Sequence, residues 1–296
     1  MRPGRASHSA EGAAAIRALE ARAPLAGRVL NDPLAVRFLG PGFRLRLALA
    51  GTPPLREAVL RFYERRVPGV MGYVLCRSRF IDEALGAALA DGVEQIVVFG
   101  AGFDSRAYRT PGIDRCRVFE VDHPDTQACK RARLRRWLRA EPAHVAYIPL
   151  DLSSGDPGEA LRAAGFGASA RTFFICEAVA EYLDRGAAGR IFACAGQAAP
   201  GSRLVFTYAL TDSVPGGGDT PAGNTWRYLA RQGEAVRFQL AAAEVPAFLA
   251  VHGLRLREDL GQAELRARYV PAGRRLAIAP YARIAASEVL VRPAGQ

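Results

Sequence analysis

The pattern of apolar positions changes once along the chain. Residues 7 to 90 carry apolar side chains at spacings of three and four, which is the period of helices with one buried face. After Asp91-Gly92 the pattern becomes short β-rich runs separated by helical stretches, as in a parallel sheet covered by helices. The predicted strands are residues 95–99, 117–121, 145–150, 172–176, 203–208, 254–260 and 287–291. The sequence therefore predicts an α/β fold with a seven-stranded, mostly parallel sheet and helices on both faces.

Helical spacing returns at residues 222 to 252, so that a helical insertion interrupts the sheet before its last two strands. The glycine run 216–218 just before it is a candidate mobile loop. We expect residues 1–90 to form a helical cap packed on a core of residues 91–296, with a lid at about 211–252. A chain of 296 residues is long enough for one continuous core, burying roughly 75% of its unfolded surface. The two parts are therefore expected to form one integrated domain.

Composition excludes several kinds of chemistry. Lys130 is the only lysine among 40 Lys and Arg, in a chain with a formal net charge of +11. It lies in neither a phosphate-binding Gly-Lys-Ser/Thr loop nor a context typical of a pyridoxal Schiff base. The basic helix at 126–139 is predicted to bury Ala128, Leu134 and Leu138 and to turn its bases to water. No nucleic-acid partner is expected.

The cysteines and the amino terminus indicate a cellular location. The five cysteines are odd in number and contain no Cys-x-x-Cys, and the four histidines are scattered. We therefore expect free thiols and no metal site. No signal-peptide core and no run of eighteen apolar residues is present in the sequence. The prediction is a cytoplasmic protein without a membrane partner.

The sharpest local feature is a strand that runs directly into a Gly-x-Gly turn, Gly100-Ala101-Gly102. Glycine there permits a positive φ and close approach of the backbone to a ligand. Asp122 follows twenty residues after Gly102, at the end of the next strand, where an acid binds the ribose hydroxyls of an adenosine cofactor. The dinucleotide fingerprint would need a glycine where this chain has Ser105, and Asp104 would repel a pyrophosphate. A cofactor without phosphate, such as S-adenosylmethionine (SAM), fits better.

Seven motifs in order resemble the leucine carboxyl methyltransferase-like branch of the class I SAM-dependent methyltransferases. The resemblance covers nearly the whole chain and implies a Rossmann-like fold. Its most specific part is the Gly-Ala-Gly-x-Asp-Ser-Arg string. The motifs are NDPLA at 31–35, SRFID at 78–82, GAGFDSRAYR at 100–109, FEVD at 119–122, DL at 151–152, EAVAEYL at 177–183 and EVPAFL at 244–249.

The resemblance implies roles for individual residues. Arg79 would pair with the SAM carboxylate, the turn at Gly100 would lie beneath the methionine tail, and Glu177 would lie near the cofactor amine. Asp122 would hold the ribose. Asp151 and Leu152 would contact the adenine. Arg17 is considered as a second contact to the tail but is not assigned, and Tyr182 is considered separately as a candidate for positioning the acceptor. The family often has glycine where this chain has Ala178, which puts the local substrate geometry in doubt.

The resulting hypothesis is an O-methyltransferase that moves the SAM methyl group to an oxygen of a small metabolite, leaving S-adenosylhomocysteine (SAH). A carboxylate is the first acceptor to consider, since it is ionised at neutral pH and needs no general base. Four alternatives remain open at this point. They are a phenol or enol acceptor, a protein carboxyl terminus, a nicotinamide-dependent oxidoreductase, and a cofactor-binding protein without turnover. The oligomeric state is left open as well.

Overall fold

A computed structural model describes residues 7–50, 53–211 and 221–290 of the chain. Four helices precede the sheet: α1 (His8–Glu20), α2 (Pro41–Leu49), α3 (Pro53–Arg66) and α4 (Val70–Ala90). The strands are β1 (Gln95–Phe99), β2 (Arg117–Asp122), β3 (Val145–Pro149), β4 (Thr172–Cys176), β5 (Arg203–Leu210), β6 (Gln239–Leu240), β7 (Leu254–Leu260) and β8 (Ala282–Val289). The other helices are α5 (Arg106–Arg109), α6 (Pro124–Leu134), α7 (Pro157–Ala163), α8 (Arg185–Gly196), α9 (Pro221–Arg231), α10 (Val245–Val251) and α11 (Gln262–Tyr269). Within these described ranges, no helix has both the length and the apolar character needed to cross a bilayer.

The strands form one sheet in the order β3-β2-β1-β4-β5-β8-β7. The first five are parallel, and β8 is antiparallel to both of its neighbours. The α/β fold with a mostly parallel sheet is confirmed. The strand count is wrong by one, because Gln239 and Leu240 in the predicted helical insertion add a short strand beside the end of β5. The glycine run 216–218 lies outside the described residues.

Strand β1 shows why the sheet is covered on both faces. All five of its residues are buried. Ile96 and Val98 pack into the core that contains α4, whereas Val97 and Phe99 pack into the opposite core with α8. Alternation along the strand therefore puts apolar side chains on both sides, as expected for a central parallel strand. The glycine turn at its carboxyl end is consequently fixed from both faces.

The last strand begins at Ala282 rather than at the predicted Ser287. Its first half is rich in alanine, which has a low intrinsic preference for strands. Pairing with β5 on one side and β7 on the other overrides that preference. The strand ends at Val289, and residue 291 of the predicted run lies outside the described residues.

The predicted basic helix is α6, which runs from Pro124 to Leu134, and its buried face differs from the prediction. Leu134 is fully buried, whereas Ala128 is exposed. Lys130 does not face water: its side chain is 1% exposed, and Nζ donates to Glu120 Oε1 of β2 at 2.9 Å. The ammonium also lies 5.4 Å from the centre of the Tyr108 ring. The only lysine of the chain therefore forms a buried ion pair with Glu120 of β2.

Candidate functional site

A cavity of about 770 Å3 opens at the carboxyl ends of β1, β2 and β4. Helices α1, α3, α4 and α9 contribute its other walls. This is the edge at which open α/β sheets bind ligands. All but one of the site residues assigned from the sequence line it: Gly100, Ala101, Gly102, Asp122, Asp151, Leu152, Glu177 and Tyr182. The structure therefore brings these residues together around one space.

The glycine turn is shaped by close packing. Gly100 has a φ of +61° and Gly102 a φ of +42°, both in the left-handed region that favours glycine. A Cβ on Gly100 would overlap the side chain of Val179, which lies in the loop after β4. The turn thus leaves no space for a side chain at Gly100, and backbone atoms form this wall of the cavity.

Asp122 closes the same turn from β2. Its carboxylate accepts hydrogen bonds from the backbone N–H of Gly102 and, at 2.6 Å, from that of His123. Burial raises the pKa of Asp122, and these two N–H donors oppose the rise. Each oxygen accepts one backbone bond and has a further lone pair, so the group can still accept bonds from a ligand.

Asp151 and Leu152 follow β3. Asp151 Oδ1 accepts bonds from the Ser153 N–H and hydroxyl, at 2.9 and 2.7 Å, which caps the local turn. The Ser153 hydroxyl is the main cause that holds the pKa of Asp151 below its usual value. Leu152 is 7% exposed and gives this end of the cavity an apolar surface.

A network of arginines and acids lies beside the glycine turn. Arg106 donates to Asp82 at 2.7 Å, to Asp104 at 2.6 Å and to Glu177 at 2.9 Å. Arg77 Nε donates to the other oxygen of Glu177 at 2.9 Å. Burial by itself would raise the pKa of Glu177, but the two guanidinium groups lower it to about 2. Glu177 is therefore held ionised at the edge of the cavity.

The structure corrects the assignment of Arg79. Its side chain is 48% exposed, pairs with Glu83 one turn further along α4 at 2.8 Å, and does not line the cavity. Arg77 lines it instead and is 8% exposed. Two residues correspond to about 200° of rotation around a helix, so neighbouring arginines at this spacing lie on opposite faces. The structure therefore places Arg79 outside the cavity and Arg77 of the same helix at its wall.

Arg17 of α1 also reaches the cavity. It donates to Asp32 Oδ2 at 2.9 Å and to the Phe103 carbonyl at 2.7 Å. Asp32 is fully buried and accepts a further bond from the Ser105 hydroxyl at 2.6 Å. Burial acts to raise the pKa of Asp32, and Arg17 together with Arg109 and Ser105 holds it below its usual value. The NDPLA motif therefore clamps α1 over the glycine turn.

The rest of the cavity lining is mainly apolar and contains a few polar atoms. Among the described residues, Glu181 Oε2, Glu234 Oε2 and the Trp226 indole N–H are buried without a hydrogen-bond partner. All three residues line the cavity, and none was assigned a role from the sequence. Burial raises the pKa of the neighbouring Tyr182 phenol, the sequence candidate on this side. The surrounding apolar wall includes Leu60, Tyr63, Met71, Trp226 and Tyr228.

Comparison with known proteins finds one family over most of the chain. A family model described as leucine carboxyl methyltransferase matches residues 10–195. A relative from Mycolicibacterium gilvum, named "Putative S-adenosyl-L-methionine-dependent methyltransferase", is 38% identical over 193 residues, which span 64% of this chain and 60% of the relative. A relative of the same description from Frankia alni is 34% identical over 220 residues, 73% of each chain.

The structural comparison covers almost the whole chain. A DUF574 family protein from Streptomyces avermitilis has a TM-score of 0.61 at 16% identity, over 96% of this chain and 98% of that chain. At this identity the match shows a common fold.

Proposed function

This chain belongs to the leucine carboxyl methyltransferase family and is a SAM-dependent methyltransferase with the class I Rossmann-like fold; from that premise we propose that it methylates an oxygen of a small molecule. The observation that carries the proposal is the single cavity described above, which extends from the glycine turn to the aromatic wall. Its size lies within the range of small-molecule and cofactor sites. Cofactor and acceptor would therefore meet inside one cavity.

The residues of the turn fit an adenosine cofactor. Val179 leaves no room for a Cβ at Gly100, which lines the cavity, so its backbone would lie against the cofactor. Asp122 would accept from the ribose hydroxyls, Asp151 from the adenine amine, and Leu152 would contact the ring. When bound, SAM supplies an electrophilic methyl group on a sulfonium.

The amino acid tail of the cofactor would lie at the arginine network. Arg77 replaces Arg79 as the partner that we propose for the carboxylate, because it is buried, lines the cavity and has a planar fork that matches a carboxylate. Arg17 would be the second cationic contact. Glu177, which is held ionised, would attract the ammonium group.

Catalysis of this transfer needs mainly alignment. Holding the acceptor oxygen in line with the methyl carbon and sulfur can contribute up to about 7 to 11 kcal/mol in the best cases. The α9 segment of the predicted lid lines the cavity, and together with α1 it would exclude water. Tyr182 would help to position the acceptor.

The five cysteines are all free thiols, which supports a reducing, cytoplasmic location.

Two acceptors share every cofactor contact. A carboxylate needs no base, which makes it the first acceptor considered from the sequence. A phenol or enol hydroxyl needs a proton acceptor, and the unpartnered Glu181 Oε2 in the cavity favours it as the second candidate. The apolar walls support a small organic acceptor over a protein terminus.

The test is a methyl-transfer assay with SAM and a panel of small organic acids, phenols, amines and thiols, read by SAH formation and product mass. Mild base cleaves methyl esters and leaves methyl ethers, so it separates the two oxygen products. We expect products methylated on oxygen only. Transfer to nitrogen or sulfur with none to oxygen would refute the proposal.

The cofactor contacts are tested by a matched pair of substitutions on one helix, Arg77→Lys and Arg79→Lys. We expect the first to weaken SAH binding about 10-fold or more, because an ammonium lacks the planar fork, and the second to change it less than about 2-fold. Calorimetry with SAH measures both. Methylthioadenosine, which lacks the amino acid tail, serves as a control and should bind wild type and Arg77→Lys about equally. Equal SAH losses in the two variants would count against Arg77.

A further inference from the structure

Glu181 is a buried acid in the cavity wall that takes no part in the proposed cofactor contacts. It follows β4 in a short 3-10 helix, its side chain lines the cavity, and the residue is 7% exposed. Oε1 accepts a hydrogen bond from the Thr207 hydroxyl at 2.6 Å. Oε2 is buried and has no partner among the described residues. A buried carboxyl oxygen of this kind is unfavourable unless a ligand satisfies it.

A chain of hydrogen bonds fixes which oxygen is free. The Ala178 N–H donates to Thr207 Oγ1 at 2.7 Å, so the hydroxyl proton of Thr207 points to Glu181 Oε1. Oε1 therefore acts as an acceptor and Oε2 is the site for a proton. Ala178 has a φ of +54°, the only positive φ of a non-glycine residue in the described chain. That strained conformation directs its N–H to Thr207.

The groups around Glu181 come from three elements. Arg77 and Tyr73 approach from α4, Cys176 from β4, and Tyr182 follows Glu181 in the chain. Burial raises the pKa of Glu181, while the Thr207 hydroxyl, the backbone N–H of Glu181 itself, Arg77 and the backbone N–H of Val179 act, in that order, to lower it. A carboxyl group with a raised pKa is suited to take a proton near neutral pH.

A second acid favours an uncharged acceptor. Glu234 Oε2 also lacks a partner, and the two glutamates both act on the Tyr182 phenol. A substrate carboxylate close to either of these buried acids would meet like charge. A neutral hydroxyl would instead donate a hydrogen bond to one of them.

We propose that Glu181 is the general base for a phenol or enol acceptor, with Thr207 as its positioning residue; the inference rests on the proposed oxygen methylation. The acceptor O–H bond breaks and its proton goes to Glu181 Oε2. The oxygen forms a bond to the methyl carbon, and the C–S bond breaks with its electron pair on sulfur. Phenols and enols suit this base because their pKa, near that of tyrosine, is much closer to the pKa of a carboxyl group than the pKa of an alkyl alcohol is.

The experiment uses 2-naphthol and 2-naphthoate, which share one ring system. Wild type should methylate the naphthol in preference to the naphthoate. Glu181→Gln should lower kcat about 100-fold or more, with KM for the naphthol changed less than about 3-fold and SAH affinity unchanged. Glu159→Gln, an exposed acid on α7, is the matched control and should behave as wild type.

The pH profile separates a catalytic role from a structural one. In wild type, kcat/KM should rise with pH as Glu181 ionises, and Glu181→Gln should lack this limb. Thr207→Val should move the limb to higher pH, because the lost hydroxyl no longer stabilises the ionised form, and Thr207→Ser should restore it.

Several outcomes would overturn the inference. They are preference for the naphthoate, failure of the SAH complex to bind naphthol in a fluorescence titration, or a Glu181→Gln enzyme with normal kcat. If the enzyme forms methyl esters and Glu181→Gln forms them at the wild-type rate, the proposal of oxygen methylation stands and only the role of Glu181 as general base is refuted. Methyl transfer to nitrogen or sulfur alone would refute both the oxygen methylation and the general base.

Discussion

Replacing Lys130 with methionine tests the buried ion pair that supports the glycine turn. Lys130 and Glu120 are each 1% exposed, their charged atoms lie 2.9 Å apart, and Nζ is 3.4 Å from the carbonyl of Ala101 in the turn. Lys130→Met removes the ammonium and leaves the carboxylate with only the Tyr108 hydroxyl, at 3.1 Å. Removing one partner of such a pair typically destabilises a protein by about 3 to 5 kcal/mol. We expect a loss of unfolding free energy in that range.

The loss should depend on pH in a defined direction. Burial raises the pKa of Glu120, and the ammonium opposes that rise. Without Lys130 the folded-state pKa is higher still, so the penalty is absent below the unfolded pKa of about 4.3 and grows as pH rises through the folded value. The difference between wild type and Lys130→Met should therefore shrink on going from about pH 8 to about pH 5.

Urea unfolding followed by circular dichroism at several pH values measures this effect. The double variant Lys130→Met, Glu120→Leu removes both charges and should recover most of the stability, since apolar pairs often replace buried ion pairs without loss. The Tyr108 hydroxyl keeps its contact with Tyr147 at 3.1 Å. A loss below about 1 kcal/mol in the single variant, or a double variant as unstable as the single one, would refute the reasoning.

Two further outcomes concern the loop after β4. Ala178→Gly should raise the unfolding free energy by up to about 1 kcal/mol, because glycine adopts the left-handed φ of this position without strain. The control Ala180→Gly, at a position with no positive φ, should lower the unfolding free energy. Urea unfolding midpoints compare the two variants, and a lower stability of Ala178→Gly would contradict the strain. Glu177 has a pKa lowered to about 2, so the stability it contributes is present above about pH 5 and is lost as pH falls toward 2. Glu177→Gln should accordingly be less stable at neutral pH and should show a flatter acid profile than wild type, and an unchanged profile would show that the ionised group adds no stability.

Much of the fold was predictable because its signals are local. Strand β1 is a continuous apolar run in the sequence. The carboxyl ends of neighbouring parallel strands lie at one edge of the sheet, so the residues at the ends of β1 and β2, Gly100, Gly102 and Asp122, come together in the structure. The start of the last strand is predicted at Ser287, five residues after its observed start at Ala282, because the alanine-rich segment between them has a low strand propensity and is stabilised by pairing with its two neighbours. The two-residue strand β6 has no pattern of its own to detect.

The side chains of the site were predicted less well, for a geometric reason. A motif gives the helix on which Arg77 and Arg79 lie, but the buried face depends on packing against Glu177, which is distant in sequence. Glu181 lies in the EAVAEYL motif, but the sequence does not show which of its carboxyl oxygens is bonded; that depends on Thr207 of β5, which is distant in sequence. The uninterrupted apolar run of α4 that precedes Arg77, residues 70–76, is the signal for burial that the sequence offers.

The position of β8 between β5 and β7 determines when the sheet can be completed during synthesis. Seven residues of β5, from Arg203 to Ala209, pair with β8, and β7 reaches the sheet only through β8. A chain still emerging from the ribosome can assemble the five parallel strands, but it exposes the edge of β5 until residue 289 is free. Such an unpaired edge is a template for association with other chains. Because β7 pairs only with β8 in the described sheet, we expect these two strands to add together, after the five parallel strands have formed.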